Sequence, residues 1–337
     1  MKICIVGGGG AIGGYLAVML AKAGNEVTVV ARGKTLDIIK RDGLTLIPEG
    51  GDRALVAKVK AVEKITDAGI PDVIMLAVKA HQVEPIVEDL AKIMGPDTVL
   101  IPMQNGIPWW YFQRLNGGYE EHAIETVDGG GFTMKRINPA NILGCVVYPA
   151  TFTQSPGVIQ HVEGNRFPIG ELDGSISERA KSISQVMTDA GFKSPILDDI
   201  RAEIWLKLWG NMTFNPISAL THEHLEGICQ YPLTKDLARN MMAEAQTIAE
   251  KLGVVFRVDI ERRIAGAEKV GKHKTSMLQD LEAGHNLEID ALLGSVIELG
   301  EITKTPTPCL STVFALTKLL NTRVQSSHGR LSLPLAA

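Results

Sequence analysis

Residues 2–22 read KICIVGGGGAIGGYLAVMLAK, and this stretch decides the fold. Residues 3–6 are an uninterrupted apolar run, residues 7–10 are four glycines, and apolar positions recur with helical spacing over residues 12–23. The glycine run therefore follows a strand directly and opens a helix. Read as Gly8-x-Gly10-x-x-Gly13, it sets a tight turn at Gly8, a residue without a side chain at Gly10 where a pyrophosphate would approach, and a close helix-to-strand contact at Gly13. Ala11 and Ile12 lie at the same junction and join the glycines as candidate cofactor contacts. The helix N-terminus offers free N–H groups and a partial positive charge to the anion. A flexible turn without a ligand is the alternative, and its position between an N-terminal strand and a helix disfavours it.

Working outward, strand and helix patterns alternate through residues 27–30, 73–78, 83–94 and 99–101. Continuous apolar strands interleaved with helices imply a parallel sheet covered on both faces, a doubly wound α/β domain. Glycines, prolines and β-branched runs at residues 145–153 and 158–162 predict antiparallel strands that finish that sheet. From residue 176 helical periodicity dominates. Asp198 or Asp199 is placed to cap a long helix, and further helices are expected over residues 235–252, 287–302 and 310–320, with Pro306 and Pro308 in the last gap. The expected organisation is a cofactor domain over residues 1–195, a helical domain over residues 196–325 and an untethered tail over residues 326–337.

The chain has 337 residues, 45% of them hydrophobic, enough for two domains with sizeable cores. A net charge of −4 with scattered lysines and arginines gives no face for nucleic acid or an anionic membrane, so a small-molecule partner is expected. Cys4, Cys145, Cys229 and Cys309 are far apart, with no zinc spacing, and read as reduced thiols; no metal site is expected. No signal-peptide core or membrane span is visible, which points to the cytoplasm. The sequence leaves the assembly open, a homodimer included.

At the end of the second strand an NAD enzyme carries a carboxylate on the ribose; here stand Arg32 and, beyond Gly33, Lys34. An arginine can hold a 2′-phosphate through charge-assisted hydrogen bonds, so NADPH is preferred. The fourth strand of the expected sheet runs into Lys79 and the fifth into Gln104-Asn105-Gly106, at the strand ends where ligands gather in open α/β sheets. Lys79 is either a cofactor contact or a solvated lysine. Asn105 offers a donor and an acceptor where nicotinamide and substrate meet, or it is part of an Asn-Gly turn. His81 reads as a helix-start residue.

In KLWGNMTFNPI, residues 207–217, a lysine and two asparagines lie four apart amid apolar neighbours. Four residues advance a helix by ~400°, so Lys207 and Asn211 lie within ~40° of each other and Asn215 a further ~40° round. Pro216 disfavours the α conformation at Asn215, which predicts a kink there. A polar network in the core is the bland alternative. A second cluster, Ser276, Asp280 and Glu288, recurs at multiples of four, and Glu288 begins an apolar helix as a candidate partner for the lysine.

These motifs resemble the ketopantoate reductases (2-dehydropantoate 2-reductases) over nearly the whole chain: the glycine run, Arg32, Lys79, Q-N-G at residues 104–106, K-x-x-x-N-x-x-x-N-P at 207–216, and S-M-L-Q-D-L-E-A-G-x-x-x-E-I-D at 276–290. The resemblance implies an N-terminal Rossmann-type doubly wound sheet, a C-terminal all-helical domain, an active site in a cleft between them, and NADPH-dependent reduction of a 2-oxo acid, 2-dehydropantoate to pantoate, in pantothenate biosynthesis. It implies Lys207 as general acid or oxyanion stabiliser, Glu288 hydrogen-bonded within the site, and Asn105, Asn211, Asn215 and Ser276 as substrate contacts, with Asn105 and Lys79 also at the cofactor. Leu225 departs from the family, whose well-studied members carry a further substrate-contacting asparagine there; His222 or His224 could substitute. Residues 116–121 are an extra loop. The alternatives are a reductase of another branched 2-oxo acid, a β-hydroxyacid dehydrogenase-like enzyme, against which the 276–288 motif argues, and a non-catalytic NADP(H)-binding protein, which would have lost the lysine or its carboxylate.

Overall fold

The computed structural model describes residues 1–51, 53–115, 117–329 and 331. Residue 116 of the extra loop, and residues 330 and 332–337 of the expected tail, lie outside the described residues. The chain forms two compact units: Met1–Gln104, Trp109–Ala123 and Gly130–Ile200 make the first; Asn105–Pro108, Ile124–Gly129 and Arg201–Ala337 make the second.

The first unit runs β1 (Lys2–Val6), α1 (Ala11–Lys22), β2 (Glu26–Val30), α2 (Gly33–Asp42), β3 (Leu44–Ile47), β4 (Leu55–Ala57), β5 (Lys60–Val62), β6 (Val73–Leu76), α3 (Val87–Ile93), β7 (Val99–Pro102), β8 (Leu143–Cys145), β9 (Ala150–Ser155), β10 (Val158–Glu163), β11 (Ile169–Glu171) and α4 (Glu178–Asp189). Its main sheet has the order β5-β2-β1-β6-β7 and is parallel throughout, so the chain winds outward one way from β1 and returns to its other side at β6. The four apolar strands expected in that sheet are present, joined by the short β5.

Of the later strands, β9 and β10 do not join that sheet, and β8 meets its edge only through the parallel bridge of Ile142 to Leu100. β10 pairs with β3 in parallel and with β9 in antiparallel, giving a second sheet of order β4-β3-β10-β9, while β11 and β8 form a two-stranded pair. The physical reason lies in α1, which packs on β1 and β2 on one side and on β3, β4, β9 and β10 on the other. A helix covered on both sides has no polar face to keep, and Tyr15, Leu16, Ala17, Val18 and Leu20 are all buried. Gly14 permits the approach of the second sheet: a Cβ there would lie 2.7 Å from Cγ1 of Ile159 in β10. The helix expected over residues 83–94 is shorter, two 3₁₀ turns preceding α3, because Pro85 lies within its start.

The second unit contains α5 (Ile200–Thr221), α6 (Leu225–Gln230), α7 (Pro232–Lys251), α8 (Ile260–Lys269), α9 (Ser276–Ala283), a π-turn over Asp290–Gly294, α10 (Ser295–Ile302) and α11 (Pro308–Ser326). α7 starts with Pro232 in its first turn and buries Ala238, Met241, Met242, Ala245, Ile248 and Ala249, the stripe of an amphipathic helix. α5 is enclosed: Ile204, Trp205, Leu208, Trp209, Met212, Phe214 and Ile217 are buried, and the Trp209 indole N–H donates to the Met242 carbonyl at 2.8 Å. α5 also continues through Pro216, so the kink expected at Asn215 does not interrupt it. Burial on nearly every side outweighs the proline's missing hydrogen bond. α11 extends to Ser326, and beyond it the Leu331 N–H reaches the Leu281 carbonyl at 3.5 Å. No helix among the described residues is long and apolar enough to cross a membrane.

Candidate active site

In the first unit, the chain leaves β1 and turns at Gly7, whose φ of 87° only glycine adopts readily. The Gly10 N–H donates to the Gly7 carbonyl at 2.9 Å and the Gly8 N–H to Val30 at 3.2 Å, which closes the turn against β2. The tight-turn role expected at Gly8 thus falls to Gly7, where a Cβ would meet the Ala77 carbonyl oxygen at 2.6 Å. Gly8 is required for packing: its Cβ would lie 2.6 Å from Cβ of Val29. At Gly13 a Cβ would overlap the Gly7 carbonyl oxygen and come within 2.9 Å of Cα of Gly8. Gly10 differs from all three, being exposed, with only the Gly7 oxygen, at 3.3 Å, near a Cβ built there. Ala11 and Ile12, half-buried, start α1, which has no side-chain cap and no acid in its first turn. An open glycine before an uncapped helix N-terminus fits a dinucleotide pyrophosphate.

The contact between Gly7 and Ala77 sets this turn beside the end of β6, at the switch point of the sheet, where open α/β sheets bind ligands. Lys79 follows, half-buried, its backbone N–H donating to Oε1 of Gln82 at 3.0 Å. His81 lies in the 3₁₀ turn Ala80–Gln82. Gln104 ties the end of β7 to this loop, its Nε2 donating to the carbonyls of Leu76 at 2.7 Å and Val78 at 3.0 Å. At the end of β2, Arg32 directly precedes α2 and is exposed, as is Lys34. Neither makes an ion pair with any described residue. The first turn of α2 holds no acid, so this corner is cationic.

In the second unit, α5 carries Lys207, Asn211 and Asn215 on successive turns. Nζ of Lys207, half-buried, donates to Oδ1 of Asn105 at 2.6 Å, a short charge-assisted bond. Asn211 is half-buried, and its amide bonds to no described side chain or backbone group. Asn215 is 7% exposed, and its Nδ2 lies 3.5 Å from Oγ of Ser276, the exposed first residue of α9. The stripe and the Ser276 motif therefore meet at Asn215, and the stripe meets the Q-N-G motif at Asn105.

Glu288 is half-buried but does not share a helix with Ser276, because α9 ends at Gly284, whose φ is 75°. The helix expected from residue 287 restarts only at Ile289 and passes at once into the π-turn. There the Ala291 carbonyl accepts from the Ile107 N–H at 3.0 Å and from the Ser295 hydroxyl at 2.8 Å. Gly106, with φ 91°, lies against the same carbonyl; a Cβ there would be 2.5 Å from its carbon and 3.0 Å from the Ala291 Cβ. Asn105 is thus held between Lys207 and a backbone clamp three residues past Glu288. A half-buried ammonium aimed by a fixed amide, with an unengaged amide one turn on, can stabilise charge growing on a bound oxygen and orient polar groups around it.

Sequence reasoning missed the clamp. Gly106 and Ala291 touch across 185 positions, and a π-turn has no composition signal. Glu298 was equally invisible: its carboxylate accepts from the backbone N–H groups of Glu125 at 2.7 Å and Thr126 at 2.8 Å, holding Ile124–Gly129 within the second unit. His222 adopts φ 59° directly after α5, and both its ring nitrogens are buried without a partner among the described residues, while His224 precedes α6 and Leu225 begins it.

Comparison with known proteins matches this architecture end to end. The ketopantoate reductase family model covers residues 3–174 and the model of the family's C-terminal part covers residues 199–321. A 2-dehydropantoate 2-reductase of Mesorhizobium japonicum is 49% identical over 321 residues, 95% of this chain and 98% of the relative. A solved candidate ketopantoate reductase from Ralstonia solanacearum superposes with a TM-score of 0.90 at 38% identity, covering 96% of this chain and 98% of that one. A 2-dehydropantoate 2-reductase from Methylococcus capsulatus gives 0.80 at 26%, covering 96% and 98%. With its glycine turn and its lysine-asparagine stripe both matched, the chain belongs to the ketopantoate reductase family, oxidoreductases that use a nicotinamide cofactor.

Proposed function

We propose that this chain reduces 2-dehydropantoate to pantoate with NADPH. The observation that carries the proposal is the Lys207 ammonium fixed by Asn105 at 2.6 Å beside the unengaged amide of Asn211. The 49% identity to the Mesorhizobium enzyme supports the substrate.

The nicotinamide, when bound, supplies a hydride to the ketone carbon. Negative charge then grows on the ketone oxygen, and Lys207 stabilises it and gives up the proton that completes the alcohol. Asn105 aims the ammonium. Asn211, Asn215 and Ser276 hold the substrate's hydroxyl and carboxylate groups through neutral hydrogen bonds, and Glu288 supplies the carboxylate that balances the lysine. In the first unit, Gly10, Ala11 and Ile12 would receive the pyrophosphate on a turn that Gly8 and Gly13 shape by close packing, Lys79 would contact the cofactor, and Arg32, with Lys34 beside it, would take the 2′-phosphate. The exposed guanidinium of Arg32, which makes no ion pair with any described residue, supports NADPH over NADH.

NADPH oxidation with 2-dehydropantoate beside other branched 2-oxo acids tests the substrate, the panel being motivated by Leu225. Lys207→Ala should lower kcat by about 10²- to 10³-fold, the scale of losing one oxyanion donor, with NADPH affinity unchanged. Wild-type turnover in that variant would remove the assignment.

A further inference from the structure

Glu288 occupies an irregular segment: α9 has ended at Gly284, and helical backbone resumes only at Ile289. The Glu288 carbonyl accepts the Leu292 N–H at 3.2 Å, the first bond of the helical segment that follows, while residues 285–287 just ahead of it lie outside any helix. α11 ties down this stretch and its flanks through Lys318, Asn321 and Gln325 at i, i+3 and i+7 on one face. Nζ of Lys318 lies 2.6 Å from both carboxylate oxygens of Asp290. Nε2 of Gln325 donates to the Gly284 carbonyl at 3.3 Å. Between them Asn321, only 9% exposed, uses both ends of its amide: Nδ2 donates to Oδ1 of Asn286 at 2.7 Å, and Oδ1 accepts the Leu287 N–H at 3.2 Å.

We propose that Asn321 is a positioning residue that sets the backbone, and through it the carboxylate, of Glu288; this rests on the role given to Glu288 above. Docking α11 does not require an amide, since Leu310, Val313 and Val324 already bury its apolar side. A buried amide is favourable only when both of its ends are bonded, and Asn321 bonds the two residues immediately before Glu288. It thereby fixes the peptide ahead of Leu287, one residue before the carboxylate.

The test uses the full chain with NADPH and 2-dehydropantoate, following kcat, KM, the pH profile of kcat, NADPH affinity and thermal unfolding. Asn321→Ala is expected to lower kcat about 10- to 100-fold, the scale of a misplaced catalytic group, and to shift the pH midpoint of kcat while leaving NADPH affinity intact. Asn286→Ala, at an exposed residue, removes one of the two bonds and keeps the test open should Asn321→Ala not fold; it should move kcat and the midpoint in the same direction by less. A folded variant with wild-type kcat and pH midpoint overturns the positioning role, as does a loss of kcat with the midpoint unmoved. Glu288→Gln, measured beside them, separates the two ideas. Wild-type turnover in that variant removes the role of Glu288 itself, whereas a crippled Glu288→Gln with an unaffected Asn321→Ala removes only the positioning.

Discussion

Two glycines three positions apart should answer alanine substitution in opposite ways. At Gly10 the backbone is extended, with φ −85° and ψ 176°, which alanine adopts without strain, and a Cβ meets only the Gly7 oxygen at 3.3 Å. The fold then loses little more than the difference between glycine and alanine at a helix N-cap, about 0.5–1 kcal/mol, or a few degrees in Tm at this chain size. The new methyl group occupies the space through which the pyrophosphate would approach. Losing one hydrogen bond to a charged group costs about 1.5–3 kcal/mol, so NADPH binding should weaken about 10- to 150-fold. Gly13→Ala presses its Cβ on the Gly7 carbonyl and to 2.9 Å from the Gly8 Cα, backbone atoms that cannot rotate aside. That overpacking should cost about 1–3 kcal/mol of stability. Fluorescence titration with NADPH and thermal unfolding of both variants give the comparison. Wild-type NADPH affinity in a folded Gly10→Ala chain would refute the phosphate site, and a large fall in its Tm would refute the account of its open space.

Gly106→Ala, at φ 91° and against Ala291, combines backbone strain with overlap, so it should lower Tm and, by displacing Asn105 from Lys207, lower kcat; calorimetry and steady-state kinetics check both. Arg32→Ala should raise the Kd for NADPH about 10-fold or more while leaving NADH unaffected, the loss of one charge-assisted contact to a 2′-phosphate; equal effects on both cofactors would remove that contact. Burial pushes the Cys4 thiol from 9.0 up to about 12 and the Cys229 thiol to about 11. Neither should react with a disulfide reagent near neutral pH until the chain unfolds, since the thiolate is the nucleophile. The same raised values favour the fold fully below the ordinary thiol range, and that contribution is lost as pH climbs from about 9 towards 12. Thermal unfolding across that window should show a steeper alkaline loss in the wild type than in Cys4→Ala.

The sequence by itself determined the parts whose physics is local. An apolar strand, a glycine turn and a helix within residues 2–22 require only neighbours in the chain to be recognised, and so does the 207–215 stripe, because helical rotation places its members on one face wherever the helix lies. It expected a kink at Asn215, but that α5 continues through Pro216 rests on burial supplied by other helices, which no local pattern records. It likewise assigned the strands after residue 145 to the main sheet, because pairing partners such as β3 and β10 lie about a hundred residues apart and only the double-sided burial of α1 decides between them. Tertiary structure alone decided what holds the candidate site in place. Asn105 meets Lys207, Gly106 meets a carbonyl in the π-turn, and Asn321 grips the backbone ahead of Glu288, each across 30 to almost 200 residues. A hydrogen bond or a van der Waals contact depends on distance in space, and a motif records only distance along the chain.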